Sequence, residues 1–323
     1  MIYSKIFSAK YFIFILVLLA SSLYFTDENR IPQNTNGQNN ISNGQTKDFP
    51  NNYVIIPIEV PKKLSFFGEK VPLQIRNVWE RMDREMTVNT YWHSSTIQFL
   101  KLSHRWFPVI EPILKRNSVP DDFKYLSLIE SGFRNVTSPA RAVGFWQFLK
   151  GPARKYGLEV NKEVDERYNV EKSTEAACKF LKEAKEKFGN WTLAAASFNM
   201  GIKGMEKQLS RQKTHSYYNL VLSEETSRYV FRAIAVKEIM KNPRKYGFKI
   251  EKKDFYKPLK TRSVTLRGSV KNMADYAERY RINYKILKLY NPWLRLDKLT
   301  NKRRKKYKIL LPAKIDASVL LKE

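Results

Sequence analysis

Apolar and polar positions divide this chain into regimes, and the largest of them is helical. An uncharged apolar run, Tyr11 to Phe25, follows Lys5 and Lys10. A positive segment ahead of an apolar core is the pattern of export. The run has fifteen residues, short against the ~20 that span a bilayer comfortably. Ala20 and Ser22 offer the small residues of a cleavage site, while apolar character persisting to Phe25 points to retention. Residues 1–25 are therefore read as a signal peptide or an N-terminal membrane anchor. No cysteine follows the run, so the chain is not read as a lipoprotein. Residues 26–52 are rich in Asn, Gln, Gly and Thr with almost no apolar positions. Such a segment buries too little surface to offset its ordering entropy, and is expected to be a disordered linker.

Beyond residue 52 the periodicity changes. Tyr53 to Val60 reads as a short extended segment. Over 71–107 apolar residues recur at helical spacing, with Val78, Met82 and Met86 and then Ile97, Leu100 and Trp106. Residues 53–107 are thus expected to form an extension that packs on the domain after it. That domain, 108–245, is predicted to be all-helical. Pro120 with Asp121 and Asp122 opens a helix that closes at Glu130–Gly132, since proline and acids suit a first turn. Pro152 and Gly157 bracket a short helix. Ser173 is the expected cap of a run with Ala177, Phe180, Leu181, Ala184 and Phe188 on one face and Gly189 as its stop. Trp191 to Asn199 follows, with Ala194, Ala195 and Ala196 permitting close packing. Residues 224–241 form the last long helix, carrying Tyr229, Ile234 and Ile239. A Lys-rich linker, 246–260, leads to 261–314, where strand, two short helices and strand succeed one another, before a tail, 315–323. The predicted fold class is mainly α: an all-helical domain plus a small β-α-α-β domain.

Charge adds a constraint. The 323 residues hold 59 Lys+Arg against 31 Asp+Glu, a formal net charge of +28. From Arg244 onward there are 24 basic and 7 acidic residues. So local an excess implies an anionic surface such as nucleic acid, anionic lipid or an acidic wall polymer. Export weighs against nucleic acid as a partner. Cys178 is the one cysteine; it excludes an intrachain disulfide and reads as a small core residue. His93, His104 and His215 lack metal-ligand spacing, so neither a metal nor a cofactor is expected.

The candidate chemistry centres on Glu130. It ends the apolar run containing Leu126, Leu128 and Ile129, in the last turn of a helix where the carbonyl dipoles are already negative. Desolvation and dipole both raise the pKa of an acid so placed, which suits a general acid; the alternative is a helix-terminal Glu facing water. After Glu130 no acid occurs until Glu159, and none lies in a recognisable partner motif. Glu225 reads as a partner for Arg228 or for its own helix N-terminus; its presence in a cleft would favour a two-carboxylate hydrolase.

Five motifs stand in order: Glu130-Ser-Gly-Phe133, Ser138-Pro139, Gly144-Phe-Trp-Gln147, Ala196-Ser-Phe-Asn-Met-Gly201 and Glu225-Thr-Ser-Arg-Tyr-Val230. In order and spacing they resemble the lytic transglycosylase (SLT) domain, and in the Gly-Phe-Trp-Gln and Glu-Thr-x-Arg-Tyr-Val forms the membrane-bound lytic murein transglycosylase D family. The last fifty or so residues resemble a LysM module through Leu289-Tyr-Asn-Pro292 and Lys308-Ile-Leu-Leu-Pro312. Two departures stand out: Arg304-Lys305-Lys306 replaces the usual Gly before the last strand, and Gly268-Ser-Val replaces Gly-Asp-Thr.

The resemblance implies cleavage of the MurNAc–GlcNAc β-1,4 linkage of peptidoglycan without water, leaving 1,6-anhydro-MurNAc ends, with glycan strands as partner and the periplasm or cell envelope as location. It implies Glu130 as catalytic acid and then base. Ser138 and Gln147 would line the groove and hydrogen-bond Glu130 or substrate; Asn199 would contact substrate, and Tyr229 would orient Glu130. Each of the four also has a structural reading, as turn residue, helix end or core. Phe145 and Trp146 read as packing. A lysozyme-like muramidase, a non-catalytic wall-binding scaffold and nucleic-acid or lipopolysaccharide binding through the basic region remain open.

Overall fold

The computed structural model describes residues 55–315. The expected signal or anchor, the linker 26–52 and the tail after Ile315 lie outside the described residues. No described helix is long and apolar enough to cross a membrane. The described chain begins with a hairpin that the hydrophobic pattern does not mark: β1 (Ser65–Phe66) pairs antiparallel with β2 (Glu69–Lys70). Phe67 and Gly68 between them both have positive φ, as the tightest hairpin turns demand. Glu69 then accepts hydrogen bonds from the Trp191 and Thr192 amides and the Thr192 hydroxyl. A carboxylate at a helix N-terminus is favoured by the free amides there.

The helical part comprises α1 (Arg76–Tyr91), α2 (His93–Arg116), α3 (Lys124–Ser131), α4 (Lys150–Lys155), α5 (Val170–Phe188), α6 (Trp191–Met200), α7 (Ile202–Gln212) and α8 (Glu224–Lys241). Helix α6 is the buried hub: Ala194, Ala195 and Ala196 are fully covered, so α5, α7 and α8 can approach its backbone closely. Helix α1 lies along α8, and α3 packs on α8 from another side.

Several sequence expectations change in detail. Helix α5 starts at Val170 under Asn169, whose side chain accepts from the Lys172 amide; Ser173 sits one turn inside. Helix α4 begins at Lys150, ahead of Pro152. Helix α7 was not anticipated, because Ile202, Met205 and Leu209 make too narrow a stripe in a polar segment. Helix α2 carries the chain without a break across residues 107 and 108, with Pro108 and Pro112 inside it.

The C-terminal unit is β3 (Thr261–Leu266), α9 (Met273–Glu278), α10 (Tyr284–Tyr290) and β4 (Tyr307–Pro312). The strands pair antiparallel from Thr261↔Pro312 to Leu266↔Tyr307, and Asn272 and Asn283 cap the helices. Its core includes Met273, Leu287, Trp293 and Ile309 and extends onto Val143, Val164 and Tyr168 of the helical part. Backbone bonds join the two: the Asp165 amide donates to the Trp293 carbonyl and the Arg295 amide to the Glu163 carbonyl. Glu159 meets Lys305 and Tyr307, Glu171 meets Lys308, and Glu163 accepts from the Thr300 amide and hydroxyl. Part of the basic excess is thus matched within the molecule, by acids of the 159–171 segment.

Candidate active site

Glu130 lies where the chain must stop being helical. Gly132 adopts a left-handed φ of 59° and its amide closes on the Leu128 carbonyl, the cap that glycine makes without strain. The next loop is tied back to α3 by two buried hydroxyls, Ser127 and Ser131, which both donate to the Phe145 carbonyl. Trp146 is fully buried and donates to Thr174; Phe145 is buried against Trp106 and Phe133. Gly144 permits this loop to close. Its φ is +78°, and a Cβ there would meet the Arg167 carbonyl oxygen at 2.1 Å.

Above the end of α3 opens a cleft of about 410 Å³ walled by α1, α3, the end of α6 and α8. Glu130, Asn199 and Tyr229 all line it, so three of the five residues singled out in the sequence are brought together. The Tyr229 hydroxyl donates to Glu130 Oε1 at 2.5 Å. Burial pushes the Glu130 carboxyl up to about 7. The Tyr229 hydrogen bond and the Arg232 charge oppose that rise, while Glu225 adds to it. Burial and the neighbouring carboxyl hold the Tyr229 phenol well above its ordinary value, so it remains a donor. The pair can therefore present a proton near neutral pH and take one back.

Asn199 makes no hydrogen bond to Glu130. Its amide nitrogen donates to Glu225 Oε1 at 2.9 Å, and its carbonyl oxygen accepts from the Thr226 hydroxyl at 2.7 Å. Ser138 and Gln147, expected to bond Glu130 or substrate, direct their hydrogen bonds here to loop backbone and not to Glu130. Ser138 Oγ accepts from the Ala142 amide, and Gln147 Nε2 donates to the Val136 and Gly144 carbonyls. Both brace the loop between α3 and α4, and neither lines this cleft. Their short polar side chains are drawn to loop backbone groups that no helix or strand satisfies.

Glu225 lines the cleft and is not the partner of Arg228. That arginine pairs with Glu85 at 2.6 Å and more loosely with Glu224 at 3.6 Å. Glu85, on α1, has only 1% of its side chain exposed and also accepts from Asn89. Helix α1 is accordingly a wall of the site, contributing Glu85, Val88, Asn89 and the capping residue Trp92. A trace of this is legible in the chain: Glu85 and Asn89 share the helical stripe of Met82 and Met86, and polar residues on an apolar stripe ask for a partner. Arg232 likewise falls on the Tyr229–Ala233–Val236 stripe of α8.

An all-helical region with a raised carboxyl in its cleft is thus followed by a docked β-α-α-β unit. Residues 107–221 match the Transglycosylase SLT domain, and residues 262–315 match the Soluble lytic transglycosylase C-terminal LysM-like domain. In these two stretches the chain is similar to lytic transglycosylases. It is similar to Membrane-bound lytic murein transglycosylase D of Escherichia coli K12, 28% identical over 236 residues that make up 70% of this chain and 51% of that protein. The protein of the same name from Escherichia coli O6:H1 matches to the same extent. A putative tributyltin chloride resistance protein of an Alteromonas species is 32% identical over 107 residues, 32% of this chain and 51% of that protein. The chain spans about half the length of these relatives.

Proposed function

We propose that the protein is a peptidoglycan lytic transglycosylase of the cell envelope, cutting the MurNAc–GlcNAc β-1,4 linkage to leave 1,6-anhydro-MurNAc ends. The observation that carries this reading is the Glu130 carboxyl, raised to about 7 and hydrogen-bonded by Tyr229 inside the cleft. Its proton passes to the glycosidic oxygen as the bond to the muramoyl C1 breaks, and the 2-acetamido carbonyl oxygen stabilises the positive carbon. The carboxylate then takes the proton of the 6-hydroxyl as that oxygen closes on C1. The two products together have the composition of the substrate, so no water enters. A pKa near the working pH serves both halves, since each transfer is most efficient when donor and acceptor are nearly matched. Tyr229 holds the carboxyl in place, and Asn199 is proposed to orient substrate beside it. Ser138 and Gln147 are proposed to support substrate only through the loop they brace. The docked C-terminal unit is proposed to extend the glycan contact, and the N-terminal segment to direct export.

A lysozyme-like muramidase is the second reading, favoured by Glu225 in the same cleft. Two carboxylates are what a hydrolase uses to activate water or form a glycosyl intermediate. Digestion of purified sacculi with mass analysis decides between them. Fragments lighter by one water, absent with Glu130→Gln, support the transglycosylase; reducing ends lost on Glu225→Gln would replace it with the hydrolase. Wall binding with no fragments released would leave a scaffold.

A further inference from the structure

One of the two cations lining the cleft lacks the company the other has. Arg228 is paired with Glu85 and Glu224. The remaining carboxyls are taken too: Glu130 by Tyr229 and Glu225 by Asn199. Arg232 is half-buried and lines the same cleft. Among the described residues it makes no hydrogen bond or ion pair; its guanidinium lies 5.6 Å over the Trp92 ring. A guanidinium carries five N–H donors in a fixed fork and stays charged. Leaving it partly desolvated without an acceptor is unfavourable, and burial does pull it below its usual value. Trp92 is itself unusual: 48% of it is exposed although it joins two packed helices. Val88 beside it is also exposed, at 39%. A flat aromatic face next to an unpaired guanidinium, both facing the proposed acid, is a surface for a ring that carries an anion.

We propose, building on the transglycosylase reading, that Trp92 and Arg232 form a subsite for an anionic sugar: Trp92 takes the apolar face of the pyranose and Arg232 a carboxylate borne by the muramoyl unit. A carboxylate matches the guanidinium fork with two parallel hydrogen bonds. Two sources share this chemistry. One is the stem peptide, which ends in carboxylates; the other is the lactyl group, whose carboxylate is free once the peptide has been removed. The subsite makes the cleft prefer muramoyl over plain N-acetylglucosamine strands. It also couples binding to chemistry. The groups facing Arg232 are Glu85, Glu130 and Glu225 as acids, with Arg228 and Tyr229. Arg232 opposes the rise of the Glu130 pKa, so a bound carboxylate that neutralises it favours the protonated acid when substrate is present.

The test uses the full chain carrying Glu130→Gln to stop turnover, and three soluble ligands. These are a glycan fragment with intact stem peptides, the same fragment stripped by an amidase, and a chitin oligosaccharide with no carboxylate. Calorimetry is expected to show a carboxylated ligand binding about tenfold more tightly than the chitin oligosaccharide, the weight of one charge-assisted contact. Arg232→Gln removes most of that ratio, and Arg232→Lys retains part of it. The ligand whose advantage disappears identifies the source. Trp92→Ala weakens all three. A carboxylate preference unchanged by Arg232→Gln, or no preference in the starting protein, overturns the proposal. So does Trp92→Ala binding all three ligands as before. Circular dichroism of each variant keeps a folding defect from being read as lost contact. Fragment release by the chain with Glu130 intact is scored separately: its absence counts against the enzyme reading, while the affinity ratio still decides the subsite.

Discussion

Replacing Glu130 by glutamine should stabilise the protein in alkaline solution, even as it removes the proposed acid. The folded carboxyl sits at about 7, against 4.5 for an unburied glutamate. Below about pH 4.5 the group is protonated in folded and unfolded chains alike, and contributes no difference. Between 4.5 and 7 the unfolded chain ionises while the folded one holds its proton, so wild-type stability falls as pH rises. Above 7 the folded carboxyl is charged in a desolvated place, and the full cost of about 3 kcal/mol is reached. The amide that Glu130→Gln introduces cannot ionise, keeps the carbonyl that Tyr229 bonds, and escapes this cost. Urea unfolding of both proteins at about pH 4, 7 and 9, followed by circular dichroism, is the assay. The expected gain for Glu130→Gln grows from near zero at about pH 4 to about 3 kcal/mol at about pH 9. If the gap between the proteins stays constant across that range, the Glu130 pKa is ordinary and the reasoning about a poised acid fails.

Two other substitutions probe what holds the site together. Gly144→Ala puts a Cβ 2.1 Å from the Arg167 carbonyl oxygen at a φ of +78°; it should cost more than about 3 kcal/mol and lower Tm by roughly 10 °C. A melt within a few degrees of wild type would show that the loop relaxes freely. Arg228→Met strands the Glu85 charge, whose side chain is only 1% exposed, at about 3 kcal/mol. Adding Glu85→Gln should recover most of that loss, and a double variant no better than Arg228→Met alone would refute the ion-pair argument.

The chain's own pattern determined most of the helices and the C-terminal strands, though not the β1–β2 hairpin or α7, because those signals act over a few residues. Asn190 and Ser223 cap their helices, and Gly132, Gly189 and Gly201 end theirs. The 3.6-residue stripes of α1, α5 and α8 name their buried faces. Glu130 was legible too, since an acid closing an apolar run is anomalous wherever it packs. Tertiary structure decided which side chains meet. Glu130 and Tyr229 are 99 residues apart in sequence, and Arg228 and Glu85 are 143 apart. No local propensity carries such distances; they arise from α1 and α3 both packing on α8. The same packing took Ser138 and Gln147 away from Glu130 to satisfy loop carbonyls and amides, and admitted Glu225. It also left Arg232 over a ring and, among the described residues, bonded to none of the acids that face it. Local chemistry marked the candidate acid, and the fold chose its company.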